Sequence, residues 1–144
     1  MEDILRIVFA IAVLGHGMAH LVATLNLGRQ LAGKPKEGTP EVRTPILRDA
    51  SATVSGALGL VFWLPATIGF IVAAPAVADL FLAGMPWSAI LVASALVSTV
   101  GVALFGGIWP GGEPRLRVLH VFLALSMNAI TLVTQLVMGW PATN

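Results

Sequence analysis

The chain has 144 residues, of which 57% are hydrophobic and only 10% are charged, with a formal net charge of +1 and no cysteine. Soluble domains carry about 25% charged residues, so this composition excludes an ordinary soluble globular domain. The low net charge predicts no nucleic-acid partner, and the lack of cysteine excludes a disulfide framework and thiolate chemistry.

Long uncharged stretches dominate the sequence. Asp, Glu, Lys and Arg are absent from residues 7–28, 50–78, 80–112 and 118–144. Each stretch exceeds the roughly 20 apolar residues that cross a bilayer. Backbone groups in lipid must be paired internally, which favours helices over isolated strands. The sequence therefore predicts an all-α integral membrane protein whose first partner is the lipid bilayer.

Four transmembrane helices are predicted in a single membrane domain over residues 1–144. They cover residues 4–27, 46–73, 86–106 and 116–140. Thr44-Pro45 is predicted to start the second helix as an N-cap followed by proline, and residues 109–112 to form a turn before the fourth. Pro65 kinks or ends a helix. Residues 66–84 are therefore either the continuation of one kinked helix, which we favour, or a re-entrant piece.

Lys and Arg are distributed unequally between the two sides of these helices. The connections 28–49 and 107–117 contain seven of the eight, whereas the opposite side contains only Arg6. Cytoplasmic loops carry an excess of Lys and Arg. We therefore predict cytoplasmic loops at 28–45 and 107–115, and a four-transmembrane-helix bundle with N-out/C-out topology in the cytoplasmic (inner) membrane.

Small residues recur every three or four positions on three of the predicted helices, a pattern that lets helices in lipid approach closely. The three stripes are Gly15, Ala19 and Ala23; Ser51, Ser55 and Gly59; and Ser94, Ser98 and Gly101. They predict tight packing within the chain. The same stripes would also suit a homo-oligomer or a larger membrane assembly.

Three histidines are the candidate site residues. His16 and His20 are four residues apart and therefore share one face of the first helix. Gly15 and Gly17 flank His16, which would let a neighbouring helix or a flat ligand approach it. His120 lies near the start of the fourth helix. If the first and fourth helices are neighbours, His20 and His120 are expected at similar depths.

Four interpretations of the role of these histidines are possible. A haem would need His120 and one of the first pair as axial ligands. All three could instead hold a divalent zinc or copper ion. His16 could also relay protons, since imidazole titrates near neutral pH. The fourth reading, which we favour, is that the histidines hydrogen-bond to polar residues of the bundle interior. Those predicted interior residues are Ser94, Ser98, Asn128, Thr131 and Gln135.

No acidic or basic side chain is predicted deep in a helix, and Asp79 falls in an outer loop. The chain therefore has no carboxylate pair for hydrolysis and no Ser–His–Asp set. Phe62 and Trp63 suit either the wall of a lipid or quinone pocket or a lipid-facing surface. We predict a non-enzymatic accessory, binding or transport subunit. The alternative is a haem- or metal-binding redox protein that uses the three histidines.

Two runs in the first predicted helix, LRIVFA at residues 5–10 and GHGMAHL at residues 15–21, resemble the start of small four-helix bacterial integral membrane proteins of unassigned function. The resemblance extends to the general layout of the spans. It implies a bacterial cytoplasmic membrane location, and it contributes no catalytic residues.

Overall fold

The structure is a computed structural model that describes residues 1–34, 51–80, 84–105 and 114–140. Most of these residues are helical, and they include no strand. The helices are α1 (Glu2–Leu31), α2 (Ala52–Val77), α3 (Trp87–Phe105) and α4 (Pro114–Leu132), and α4 continues into a π-helical segment, Val133–Val137. All four are long and apolar enough to cross a membrane. The prediction of an all-α chain with four long apolar helices is confirmed.

As described, α2 begins at Ala52. Ser51 is its N-cap, and the Ser51 hydroxyl accepts the Val54 N–H at 3.3 Å. The predicted start at residues 44–45 and the predicted turn at residues 109–112 lie outside the described residues. At its other end α2 runs unbroken past Pro65 to Val77.

The helical part of residues 66–84 therefore belongs to α2 and is not a separate piece. A proline inside a helix removes one backbone hydrogen bond. Packed neighbouring helices make that loss tolerable in membrane proteins.

Consecutive helices are antiparallel and pack side by side. We call the end of the bundle that contains Glu2 and Val77 the termini end, and the end that contains Leu31 and Ala52 the opposite end. α1 packs along α2, α2 along α3 and α3 along α4, whereas α1 and α4 touch at few points. α4 is also the least buried helix. Only 17% of the residues in its apolar stretch are buried, against 39–44% in the other three.

The core contains two apolar clusters at different depths. The cluster nearer the termini end includes Val13, Phe70 and Leu91. The other cluster includes Leu27 and Trp63 and lies nearer the opposite end. Each cluster combines side chains from α1, α2 and α3. The level between them is therefore enclosed by apolar core on both sides.

The small residues are only partly where the stripes predicted. The α3 stripe is buried as expected, and at Gly101 an added Cβ would lie 3.0 Å from the Phe62 side chain. On α1, however, Gly15 is exposed and a Cβ there would meet nothing within 4 Å, whereas Gly17 packs directly on α2. Ser51 is an exposed N-cap and does not pack between helices. The prediction that Gly15 and Ser51 pack between helices was wrong.

Candidate functional site

Four polar side chains lie together between the two apolar clusters. His16 Nε2 donates to Asn128 Oδ1 at 2.9 Å, and Asn128 Nδ2 donates to Ser98 Oγ at 2.8 Å. Ser98 Oγ is in turn 2.8 Å from His20 Nε2. All four residues are at most 8% exposed. We call His16, His20, Ser98 and Asn128 the polar layer. It joins α1, α3 and α4 through three consecutive hydrogen bonds.

The donor and acceptor properties of these groups determine the direction of the three hydrogen bonds in the polar layer. An amide oxygen only accepts, so the proton between His16 and Asn128 is on the imidazole Nε2. The Ser98 hydroxyl accepts the Asn128 amide, which leaves its own proton available for His20 Nε2. Buried polar groups are costly unless they are hydrogen-bonded. The layer therefore stabilises the fold only while its members stay paired.

Aromatic rings enclose the two histidines. The His16 and His20 rings are 4.7 Å apart and meet edge to face. Phe70 lies 4.7 Å from the His16 ring and 5.7 Å from the His20 ring, and Trp63 lies 5.3 Å from His20. Trp63 is only 1% exposed, so it belongs to the core and does not face lipid. Phe62 is half-buried and packs near Phe105 of α3.

The other predicted interior residues are buried but lie outside the polar layer. Ser94 donates to Ile90 O of its own helix at 2.7 Å. Thr131 is fully buried, and among the described residues its Oγ1 has no hydrogen-bond partner. Gln135 accepts from Ser88 Oγ at 2.7 Å and donates to Trp140 O at 2.8 Å. Gln135 therefore links the π-helical segment after α4 to α3, at a level away from the histidines.

His120 does not join the other two histidines. It is half-buried, and the described part of the chain contains no group of three His, Asp or Glu residues that could hold a metal ion. The reason is helical rise. His16 is level with Asn128, and His20 lies one turn away, about 6 Å towards the opposite end. His120 precedes Asn128 by eight residues, or about 12 Å in the same direction. The expected match in depth between His20 and His120 is therefore wrong.

One polar pair was not predicted. Thr24 Oγ1 of α1 lies 2.9 Å from Thr67 Oγ1 of α2, and each oxygen is also within hydrogen-bond distance of a backbone carbonyl of its own helix, at His20 and Trp63 respectively. Because a hydroxyl has one proton, one threonine donates across the pair and the other donates to its own carbonyl. Back-bonding to the preceding turn is common for threonine in helices. The sequence therefore does not distinguish a threonine that also contacts a neighbouring helix from one that bonds only within its own helix.

The outer surfaces of the helices indicate the class of protein. Large apolar side chains are exposed on all four helices, for example Ile11, Val61, Leu96 and Phe122. Monomeric soluble proteins rarely expose contiguous apolar surface of that extent. The exposed apolar surface and the four helices of spanning length together indicate a multi-pass helical membrane protein. No comparison narrows this class, since no family model, curated protein or solved structure matches the chain.

Proposed function

We propose that this chain is a non-enzymatic accessory, binding or transport subunit of the cytoplasmic membrane, with both termini outside. The observation that carries the proposal is the way in which α4 is held. Its apolar stretch is only 17% buried, yet Asn128 bonds to both α1 and α3 through the polar layer. The polar layer therefore links to α1 and α3 a helix that buries few of its own side chains.

This mode of attachment suits a subunit that changes its helix contacts. Apolar side chains lose little when a neighbouring helix is replaced by lipid, because acyl chains are equally apolar. Hydrogen bonds are lost outright on separation unless another helix supplies partners. α4 is therefore the helix that would move during transport, or that would meet a helix of a homo-oligomer or larger assembly.

Distance measurements test whether Asn128 holds α4. The chain has no cysteine, so one spin label can be placed on α4 at Leu123 and one on α2 at Val61, both exposed. We expect one main distance in the parent protein and a broader or second population in Asn128→Leu. The same narrow distribution in both proteins would refute the proposal.

A haem- or metal-binding function remains the second candidate, because the His16 and His20 rings are adjacent and enclosed by aromatic side chains. It would use His120 together with His16 or His20. The polar layer argues against it, since Nε2 of both buried histidines is already in a hydrogen bond.

An absorption spectrum and a metal analysis of the detergent-purified protein separate the two candidates. We expect no Soret band and no stoichiometric metal. A Soret band or bound metal that is lost in His20→Ala or His120→Ala would instead establish the second function. Thr134→Ala is a matched control, because among the residues that the structure describes the Thr134 hydroxyl bonds to carbonyls of its own helix alone.

A further inference from the structure

An apolar groove runs along the seam between α1 and α2 at the termini end. Its volume is about 410 Å³. Ile7 and Leu14 line it from α1, and Ala74 and Ala78 line it from α2 and the residue that follows. Ile7 and Leu14 are 49% and 42% exposed, so the groove opens on the surface that the lipid would cover.

A cation lies next to residues that line this groove. Arg6 immediately precedes Ile7, and its Nε donates to Val77 O at 3.2 Å, next to Ala78. A guanidinium has five N–H donors, and this bond uses one of them. Among the described residues no Asp or Glu forms an ion pair with Arg6. The guanidinium is therefore held at the seam by one backbone carbonyl, and although Glu2 and Asp3 lie one turn away on α1, neither forms a direct ion pair with it.

We propose that an anionic phospholipid binds at this place, with an acyl chain in the groove and its phosphate on Arg6. The terminal nitrogens of a guanidinium form a planar fork that matches two phosphate oxygens. The Val77 bond uses Nε and leaves that fork available. The lipid phosphate would supply a negative counter-charge to Arg6, while the groove would hold an acyl chain of the same lipid. This inference does not rest on the polar layer or on the orientation of the chain.

A second groove serves as a comparison that distinguishes lipid binding due to the shape of a groove from lipid binding due to a nearby charge. It lies between α2 and α3, has a volume of about 440 Å³ and is lined by mainly apolar residues that include Ile68 and Ala93. Among the described residues, no Lys or Arg lines either groove, but Arg6 adjoins Ile7 of the first, whereas no Lys or Arg adjoins a lining residue of the second in the sequence. It should therefore accept an acyl chain without preferring an anionic lipid.

Native mass spectrometry of the full chain in detergent tests the proposal. The probes are phosphatidylglycerol and phosphatidylcholine with identical acyl chains. We expect the parent protein to bind phosphatidylglycerol about tenfold more tightly, as one charge-assisted contact allows. Arg6→Gln should abolish the preference, and Arg6→Lys should retain part of it. Arg115→Gln, at the exposed start of α4, should leave it unchanged.

The groove has its own matched pair of variants. Ala78→Phe should lower the affinity for both lipids by filling the α1–α2 groove, whereas Ala93→Phe in the second groove should leave the preference for phosphatidylglycerol intact. Thermal unfolding of each variant in detergent would identify any that is misfolded, and Arg6→Gln leaves the groove itself in place. A preference that survives Arg6→Gln, or that disappears in Arg115→Gln instead, would overturn the proposal, as would unchanged affinity in Ala78→Phe.

Discussion

Replacing Asn128 with leucine is expected to lower the free energy of unfolding by about 1–3 kcal/mol, because one substitution removes two buried hydrogen bonds. The His16 Nε2–H loses its acceptor and Ser98 Oγ loses its amide donor. Leucine has the same branched shape as asparagine and a larger volume, so the loss should come from the unpaired groups and not from a cavity. Denaturant unfolding of the full chain in mixed detergent micelles, followed by tryptophan fluorescence, measures it.

The control for this prediction lies on the same helix. Thr134 is half-buried, and within the described part of the chain its hydroxyl proton is shared between the Ile130 and Thr131 carbonyls. Thr134→Val should therefore change the stability by less than about 0.5 kcal/mol. In a double-mutant cycle, His16→Phe and Asn128→Leu should show a coupling energy of about 0.6–2 kcal/mol. Equal losses in the Asn128 and Thr134 variants would mean that the polar layer does not hold α4.

Gly17→Ala should lower the stability by about 1–3 kcal/mol, the usual cost of overpacking. An added Cβ would lie 3.0 Å from Phe70 Cβ and from Ile71 Cγ1, and 3.2 Å from the backbone N of Ile71. The Phe70 and Ile71 backbone cannot move aside without shifting α2. Because His16 is the neighbouring residue, the shift should also disturb the polar layer. The same unfolding assay measures the effect.

Gly15→Ala is the matched comparison, two residues away on the same helix. Nothing lies within 4 Å of a Cβ at that position, and alanine favours a helix over glycine by about 0.5–1 kcal/mol. We therefore expect Gly15→Ala to be neutral or slightly stabilising. If both alanine variants lose the same stability, α1 is rotated from the position described and the packing of α1 on α2 is wrong.

The helices themselves were predictable, and their ends were less so. Long uncharged stretches predict spanning helices because the cost of placing charge in lipid acts on each segment separately. The N-cap of α2 is a local signal as well, but the only start predicted for this helix was Thr44-Pro45, and Ser51 was considered only as a small residue. The structure places the cap at Ser51, where the hydroxyl meets the Val54 N–H.

The candidate site was predictable in composition and only partly in arrangement. Spacing along one helix places His16 and His20 on a common face, and both proved to be buried. Their partners Ser98 and Asn128 were among the predicted interior residues, but the sequence did not indicate which histidine pairs with which of them. His120 lies outside the polar layer because its level depends on how far α4 is shifted along α1, which no local pattern encodes, and its role as a cofactor ligand stays a prediction.

Segment length, apolar content and the face that two residues share are properties of a single helix, and the sequence alone determined them for this protein. The rotation and relative depth of the four helices are collective properties, and only the tertiary structure decided them. Gly15 and Gly17 make the difference concrete, because both flank His16 in the sequence and only Gly17 packs on α2. A rotation of α1 by half a turn would exchange their environments, and only the side chains of α2, α3 and α4 oppose that rotation.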